Sequence, residues 1–197
     1  MAKHSRTEQA ILGFLTWGSM SGYDIKQAIQ ASIGNFWSES YGQIYPVLKR
    51  LAKGGLIAPD GPHTASGRPS KAYRLTAAGQ AALIDWLGQP PEPEPPRNEL
   101  LLKLFFGRNN PPEVSVRHIE RQREQATGRL ESYDRIDRDL RQQHRDNPDL
   151  PYWLMTLSYG KHSERAMVAW CDDALTALSA LAGSAATTDQ SRTPTRP

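Results

Sequence analysis

The chain is short of nearly everything that would mark an enzyme or a membrane protein. Its 197 residues include one cysteine, Cys171, which excludes an intramolecular disulfide framework and a cysteine-rich zinc module. No apolar run approaches the ~18 residues a membrane span needs. The most apolar stretch, Leu100 to Phe106, is interrupted by Lys103. Met1 to Gln9 lacks the charged-then-apolar layout of a signal peptide, so a soluble, cytoplasmic protein with no membrane partner is expected. The five histidines (His4, His63, His118, His144, His162) never fall at helical ligand spacing with one another, and no metal is expected. Gly18 to Gly22 has neither the preceding strand nor the spacing of a dinucleotide loop. Gly67-Arg68-Pro69-Ser70-Lys71 lacks the glycine spacing of a phosphate loop. Asp172 and Asp173 are adjacent and point apart on a helix, and Cys171 falls in an apolar stripe where a buried, inert thiol is expected. Neither catalysis nor a cofactor has a visible home.

What the chain does have is charge, distributed unevenly. The net charge is only +3, but residues 1–88 hold nine bases against five acids, and residues 89–197 hold fifteen against sixteen. Residues 43–74 alone carry six bases and one acid, Asp60. Such an asymmetry suggests a polyanion partner for the first half and a different task for the second.

The first half reads as short helices followed by a hairpin. Ala10, Ile11, Leu12 and Leu15 give the period of a first helix, which Gly18 ends. Ser21 offers an N-cap to a second, with Tyr23, Ile25, Ala28 and Ile29 on or near its buried side. A third lies within Ser38 to Lys53, its core stripe Ile44, Leu48 and Leu51. Pro46 suits only a first turn, so the regular helix is expected to start near Gly42. Leu56-Ile57-Ala58 and Ala72 to Leu75 are strand candidates around a Gly, Pro, Ser and Thr-rich loop. Thr76 caps a fourth helix whose Ala78, Leu83, Trp86 and Leu87 are expected to return to the core. The order is that of a winged helix-turn-helix.

Five prolines between Gly88 and Arg97 predict a stiff connector. Beyond it, Asn98 caps a helix through Phe105, and a long helix runs from about Glu113 to Arg145. Val116, Ile119, Ala126, Leu130, Tyr133 and Leu140 follow a heptad seam, interrupted by Arg123 and Asp137. At 1.5 Å per residue that helix spans ~50 Å, more than one small domain covers. A last helix spans roughly Pro151 to Ala182, and residues 183–197 are expected to be a disordered tail. The predicted organisation is therefore a mainly α chain. Residues 1–88 form a winged helix-turn-helix, 89–97 a connector and 98–182 a helical dimerisation and effector domain.

A winged helix presents the start of its third helix to the major groove of double-stranded DNA and lays its wing along the backbone. Gln43, Pro46, Val47, Lys49 and Arg50 are expected on outer or flanking surfaces of that helix. Gln43 is placed to read adenine through its two-ended amide, while Lys49 and Arg50 suit phosphates. Arg68 and Lys71 supply the wing, and Ser38, Ser40 and Tyr41 can donate to phosphate oxygens. Tyr45, Tyr23 and Tyr73 are expected to pack in the core.

Met20-Ser21-Gly22-Tyr23-Asp24-Ile25, Phe36-Trp37, Ser40 through Leu51 and Gly67 through Thr76 together resemble the PadR-like family of transcriptional regulators. Asn98 through Gly107 is similar to the start of the longer C-terminal region in that family's larger subgroup. The resemblance covers about Gln9 to Leu181, and it also accounts for a proline after tyrosine at Pro46. It implies a bacterial or archaeal homodimer, usually a repressor, that binds an inverted-repeat operator and answers to a small aromatic or lipophilic effector. Trp86, Tyr152 and Trp153 are candidates for the effector pocket. The competing function is a protein-interaction adaptor that uses the long helices, with the winged helix as scaffold. A scaffold has no need of a basic wing.

Overall fold

The computed structural model describes residues 5–34, 36–63, 70–93 and 97–190. They fall into two compact units, Met1–Glu94 and Pro95–Pro197. The first contains α1 (Arg6–Phe14) with a 3-10 turn after it, β1 (Met20–Ser21), α2 (Gly22–Ser32), α3 (Tyr41–Lys53), β2 (Ile57–His63), β3 (Ser70–Leu75) and α4 (Ala77–Leu87).

Local chemistry sets where these helices begin. Ser5, Ser21 and Ser40 each close a capping box, with Glu8, Asp24 and Gln43 respectively as the return partner. Thr76 caps α4 by accepting from the Gly79 N–H. A cap of this kind contributes ~1 kcal/mol. Burial then assembles the pieces. Ile11 and Leu12 of α1, Ile25 and Ile29 of α2, Ile44, Leu48 and Leu51 of α3 and Ile57 of β2 are each at most 2 % exposed.

Several expectations need correcting here. The helix α3 begins at Tyr41 and takes Pro46 into its second turn. The proline withholds a donor from the Gly42 carbonyl, and Gly42 is exposed, so water can supply it. Val47 is 4 % exposed and completes a stripe at 44, 47, 48 and 51, so it does not face outward. Of the four α4 residues expected there, only Leu83 reaches the core, while Ala78, Trp86 and Leu87 are exposed. The hairpin is longer than its apolar segments suggested and belongs to a three-stranded antiparallel sheet of order β1-β3-β2. Met20 pairs with Tyr73 and Ser21 with Ala72, a pairing with no sequence expectation behind it. The β2–β3 register shifts between Pro59 and Pro62, where Gly61 adopts a φ of +88° that favours glycine. The expected wing residue Arg68 lies outside the described residues.

The second unit contains α5 (Glu99–Phe105), α6 (Pro112–Gln143) and α7 (Leu150–Gln190). The 32 residues of α6 span about 48 Å. Arg123 pairs with Asp172, Arg129 with Glu164 and Asp134 with Lys161, so the partners ascend one helix while descending the other. The two helices are therefore antiparallel. Ile119, Ala126 and Tyr133 of α6 and Leu157 and Cys171 of α7 are buried. Gly160 lets the Tyr133 ring approach α7, since a Cβ there would lie 2.9 Å from it. The two seam interruptions, Arg123 and Asp137, are inter-helix ion-pair positions. The helix α7 runs to Gln190, eight residues past the expected Ala182; 191–197 lie outside the described residues. Among the described residues no helix is long and apolar enough to cross a membrane.

Candidate nucleic-acid interface

The starts of α2 and α3 lie together. Gly22, the first residue of α2, packs so closely on Tyr45 of α3 that a Cβ would come within 2.7 Å of the ring. Tyr23 of α2 stacks on Tyr41 of α3 at 6.3 Å between centroids and 10° between planes. Tyr41 in turn stacks on Tyr45 at 6.2 Å and 24°. All three rings are exposed, Tyr45 to 49 %. The result is a row of three phenols beside two helix N-termini, whose partial positive charge and phenolic O–H groups suit phosphate oxygens.

This row corrects the sequence reading of Tyr23 and Tyr45 as core residues. The missed signal was the four-residue spacing of Tyr41 and Tyr45, which puts both rings on one face beside the buried stripe. Tyr73 is half-buried, and the Lys71 ammonium lies 5.5 Å from the centre of its ring. That contact orients the one wing cation of the predicted pair that is described.

Other predicted contacts are spoken for by the fold. The Gln43 Oε1 accepts from the Ser40 N–H at 2.7 Å, and the Gln43 N–H donates to the Ser40 hydroxyl at 3.2 Å. Both side chains therefore close the α3 cap, and a two-ended reading of adenine by Gln43 opens it. Arg50 donates from Nε to Glu8 Oε1 at 3.1 Å, with its Nη2 also 3.1 Å from that oxygen. Its guanidinium ties α3 to α1. Ser38 and Lys49 are exposed. At the base of the wing, Asp60 accepts from the Ser19 hydroxyl and pairs with Arg74 at 3.6 Å, which neutralises the one acid of the basic segment.

The candidate effector residues are not gathered within either unit. Trp86 belongs to the first unit, Tyr152 is 66 % exposed, and Trp153 packs edge-on against His144 at 5.4 Å. A cleft of about 350 Å³ lies instead between α5 and the start of α6. Leu102, Phe106 and Val114 give it apolar lining, and Lys103, Asn110 and His118 give it polar groups. Lys103 also bonds Glu99 at 2.7 Å. The Cys171 thiol is fully buried, and burial pushes its pKa up, aided by the Asp172 charge; a nucleophile needs the reverse.

A three-helix core with a β-hairpin, joined to a separate unit of long helices, defines a winged-helix, DNA-binding type of transcription regulator. Comparison with known proteins carries this to the family. Residues 11–85 match the transcriptional regulator PadR-like family, and residues 96–179 match the family described as virulence activator alpha C-term. The chain is 30% identical over 171 residues to the negative transcriptional regulator PadR of Bacillus subtilis, covering 84% of this chain and 93% of that one. The crystal structure of Bacillus subtilis PadR in complex with operator DNA superposes with a TM-score of 0.75 at 30% identity, over 87% of this chain and 98% of that one. The same regulator in complex with p-coumaric acid gives 0.70 at 29%, over 88% and 99%. The chain belongs to the PadR-like family of transcriptional regulators.

Proposed function

We propose that the chain is a homodimeric repressor that grips an inverted-repeat operator with the start of α3 in the major groove and the wing on flanking backbone. The observation that carries this reading is the exposed Tyr23–Tyr41–Tyr45 row at the joined starts of α2 and α3. It supplies sequence-independent phosphate contacts, Lys49, Lys71 and Arg68 add charge, and Gln43 adds base choice. The operator complex of the Bacillus subtilis relative supports the same partner. Dimerisation is favoured by apolar surface that one copy leaves open in the second unit, including Leu101, Leu102 and Phe105 on α5 and Tyr152, Met155 and Tyr159 on α7. In a two-fold dimer the half-sites stand about one DNA turn, ~34 Å, apart.

The effector in this reading is a small aromatic acid, the class of the p-coumaric acid bound to the Bacillus subtilis relative. The α5–α6 cleft suits it better than Trp86, Tyr152 and Trp153, because apolar walls and a cation meet there. Electrophoretic mobility shift on the chain's own promoter region tests the core of the proposal. Lys71→Ala and Arg68→Ala each weaken binding to all sequences and lower the salt slope by about one. A wild-type protein that shifts no promoter DNA at moderate salt is not this repressor. If p-coumarate and related acids leave operator binding unchanged, the effector assignment fails and the DNA assignment stands.

A further inference from the structure

The loop from α2 to α3 holds a carboxylate that stability alone does not explain. Glu39 is 4 % exposed, less than any other acidic residue among those described. Its Oε1 accepts from the Trp37 indole N–H at 3.1 Å. Its backbone carbonyl accepts from the Lys26 ammonium of α2. Its Oε2 is buried with no hydrogen-bond partner. Burying a carboxylate with one oxygen unsatisfied is costly, and an apolar side chain of similar size is ordinarily as stable or more so. A local rule broken this way is expected where function needs the geometry. Glu39 stands directly before Ser40, the N-cap of α3, and Lys26 lies on the helix that carries Tyr23.

We propose that Glu39 is a positioning residue: by holding the Trp37 indole on its side chain it fixes the loop whose residue-39 carbonyl takes the Lys26 ammonium, and so sets where the first turn of α3 stands against α2. The placement of Tyr41 and Gln43 relative to Tyr23 follows from the indole bond. The inference rests on the DNA-binding reading above. A group that only stabilises the fold would change operator and non-operator binding together. One that aims α3 changes their ratio.

The test measures affinity for operator and for unrelated duplex at one salt concentration, alongside thermal unfolding of the full-length protein. Glu39→Leu is expected to melt at or above the wild-type temperature while the operator preference falls about tenfold, the scale of one lost hydrogen bond to a charged group. Glu39→Gln keeps an acceptor for the indole and is expected to hold the preference within about threefold. Trp37→Phe removes the donor, together with part of a ring that packs on the core, and is expected to show the same fall in operator preference as Glu39→Leu, which keeps the test intact if the leucine variant does not fold. The Trp37 indole N–H resonance, identified by its absence in Trp37→Phe, is expected to move in Glu39→Leu and to stay near its wild-type position in Glu39→Gln. A wild-type operator preference in Trp37→Phe, or a glutamine variant as impaired as the leucine one, overturns the proposal. Wild-type binding in the same assay separates such a failure from failure of the DNA-binding reading.

Discussion

The two units of this chain are stabilised in different ways. In the first, eight aliphatic residues from three helices and a strand lose nearly all contact with water, and polar side chains serve mainly at helix starts. In the second, buried residues are sparse along two long helices, and ion pairs carry the register between Arg123 and Asp172, Arg129 and Glu164, and Lys161 and two aspartates. The first unit closes its own core. The second leaves Phe105, Tyr152 and Tyr159 more than 60 % exposed and is suited to completion by another surface. A closed core fits a part that must match the DNA groove; an arm held by charge pairs, with open apolar faces, fits the pairing and adjustment that the proposed function asks of it.

Two glycines put that comparison to its hardest test. A Cβ on Gly79 would lie 2.1 Å from the Leu56 carbonyl oxygen, and one on Gly160 would lie 2.9 Å from the Tyr133 ring. Alanine gains ~1 kcal/mol of helix propensity at either site. At Gly79 the obstacle is backbone, so α4 must shift away from Leu56, and Gly79→Ala is expected to cost ~2–3 kcal/mol net. At Gly160 the obstacle is a side chain that can swing, and Gly160→Ala is expected to cost less than ~1.5 kcal/mol. Denaturant unfolding of the two variants reads the difference directly. Equal losses would mean that the α6–α7 hairpin is packed as tightly as the winged helix.

A second substitution separates folding from recognition within the first unit. Gln43→Glu keeps the acceptor that the Ser40 N–H needs, and a carboxylate is favourable at a helix start, so stability should be unchanged. It removes the amide donor that adenine N7 requires. The expected result is a loss of ~1–3 kcal/mol in discrimination at one A·T pair, scored as the affinity ratio between operator and a variant operator. Unaltered discrimination would remove Gln43 from the base-reading set and leave it as a cap alone.

How much of this was legible in the sequence depends on how far apart the interacting residues stand. The N-cap at Ser21 and the Ile44, Leu48 and Leu51 stripe of α3 are local patterns, and the sequence showed both; the Ser40–Gln43 box is equally local, but its two residues were read as DNA contacts and not as a cap. The heptad seam of α6 was visible for the same reason. Arg50 and Glu8 are 42 residues apart and Ser19 and Asp60 are 41 apart, so no window of sequence pairs them. The strand β1 is two residues long and exists only because β3 is there to pair with it. The phenol row was half visible: Tyr41 and Tyr45 share a turn, but Tyr23 joins them only after α2 and α3 pack. Val47 was misplaced because a core stripe read from leucine and isoleucine alone is one residue too narrow.

The smallest expected effect concerns the ion pairs that distinguish the second unit. The hydrogen bond from Lys161, helped by its charge, holds the carboxyls of Asp134 and Asp137 below the ordinary 3.8, and Arg141 adds to the effect on Asp137. The same bonds raise the Lys161 ammonium above 10.5. A carboxyl with a lowered folded-state pKa contributes stability that is present above its unfolded value and lost as pH falls through the folded one. A raised ammonium contributes below its unfolded value and loses it as pH rises through the folded one. The network is therefore expected to contribute evenly between about pH 5 and 9 and to weaken below pH 4. Asp134 is largely exposed, so the effect is modest and shrinks with added salt. Thermal melts of wild type and Lys161→Met from pH 7 to pH 3 check it. Lys161→Met is expected to melt a few degrees lower at pH 7, with the gap closing toward pH 3 as the wild-type carboxylates take up protons. A gap that stays constant across that range would trace the loss to packing of the Lys161 stem. The second unit would then resemble the first in relying on burial.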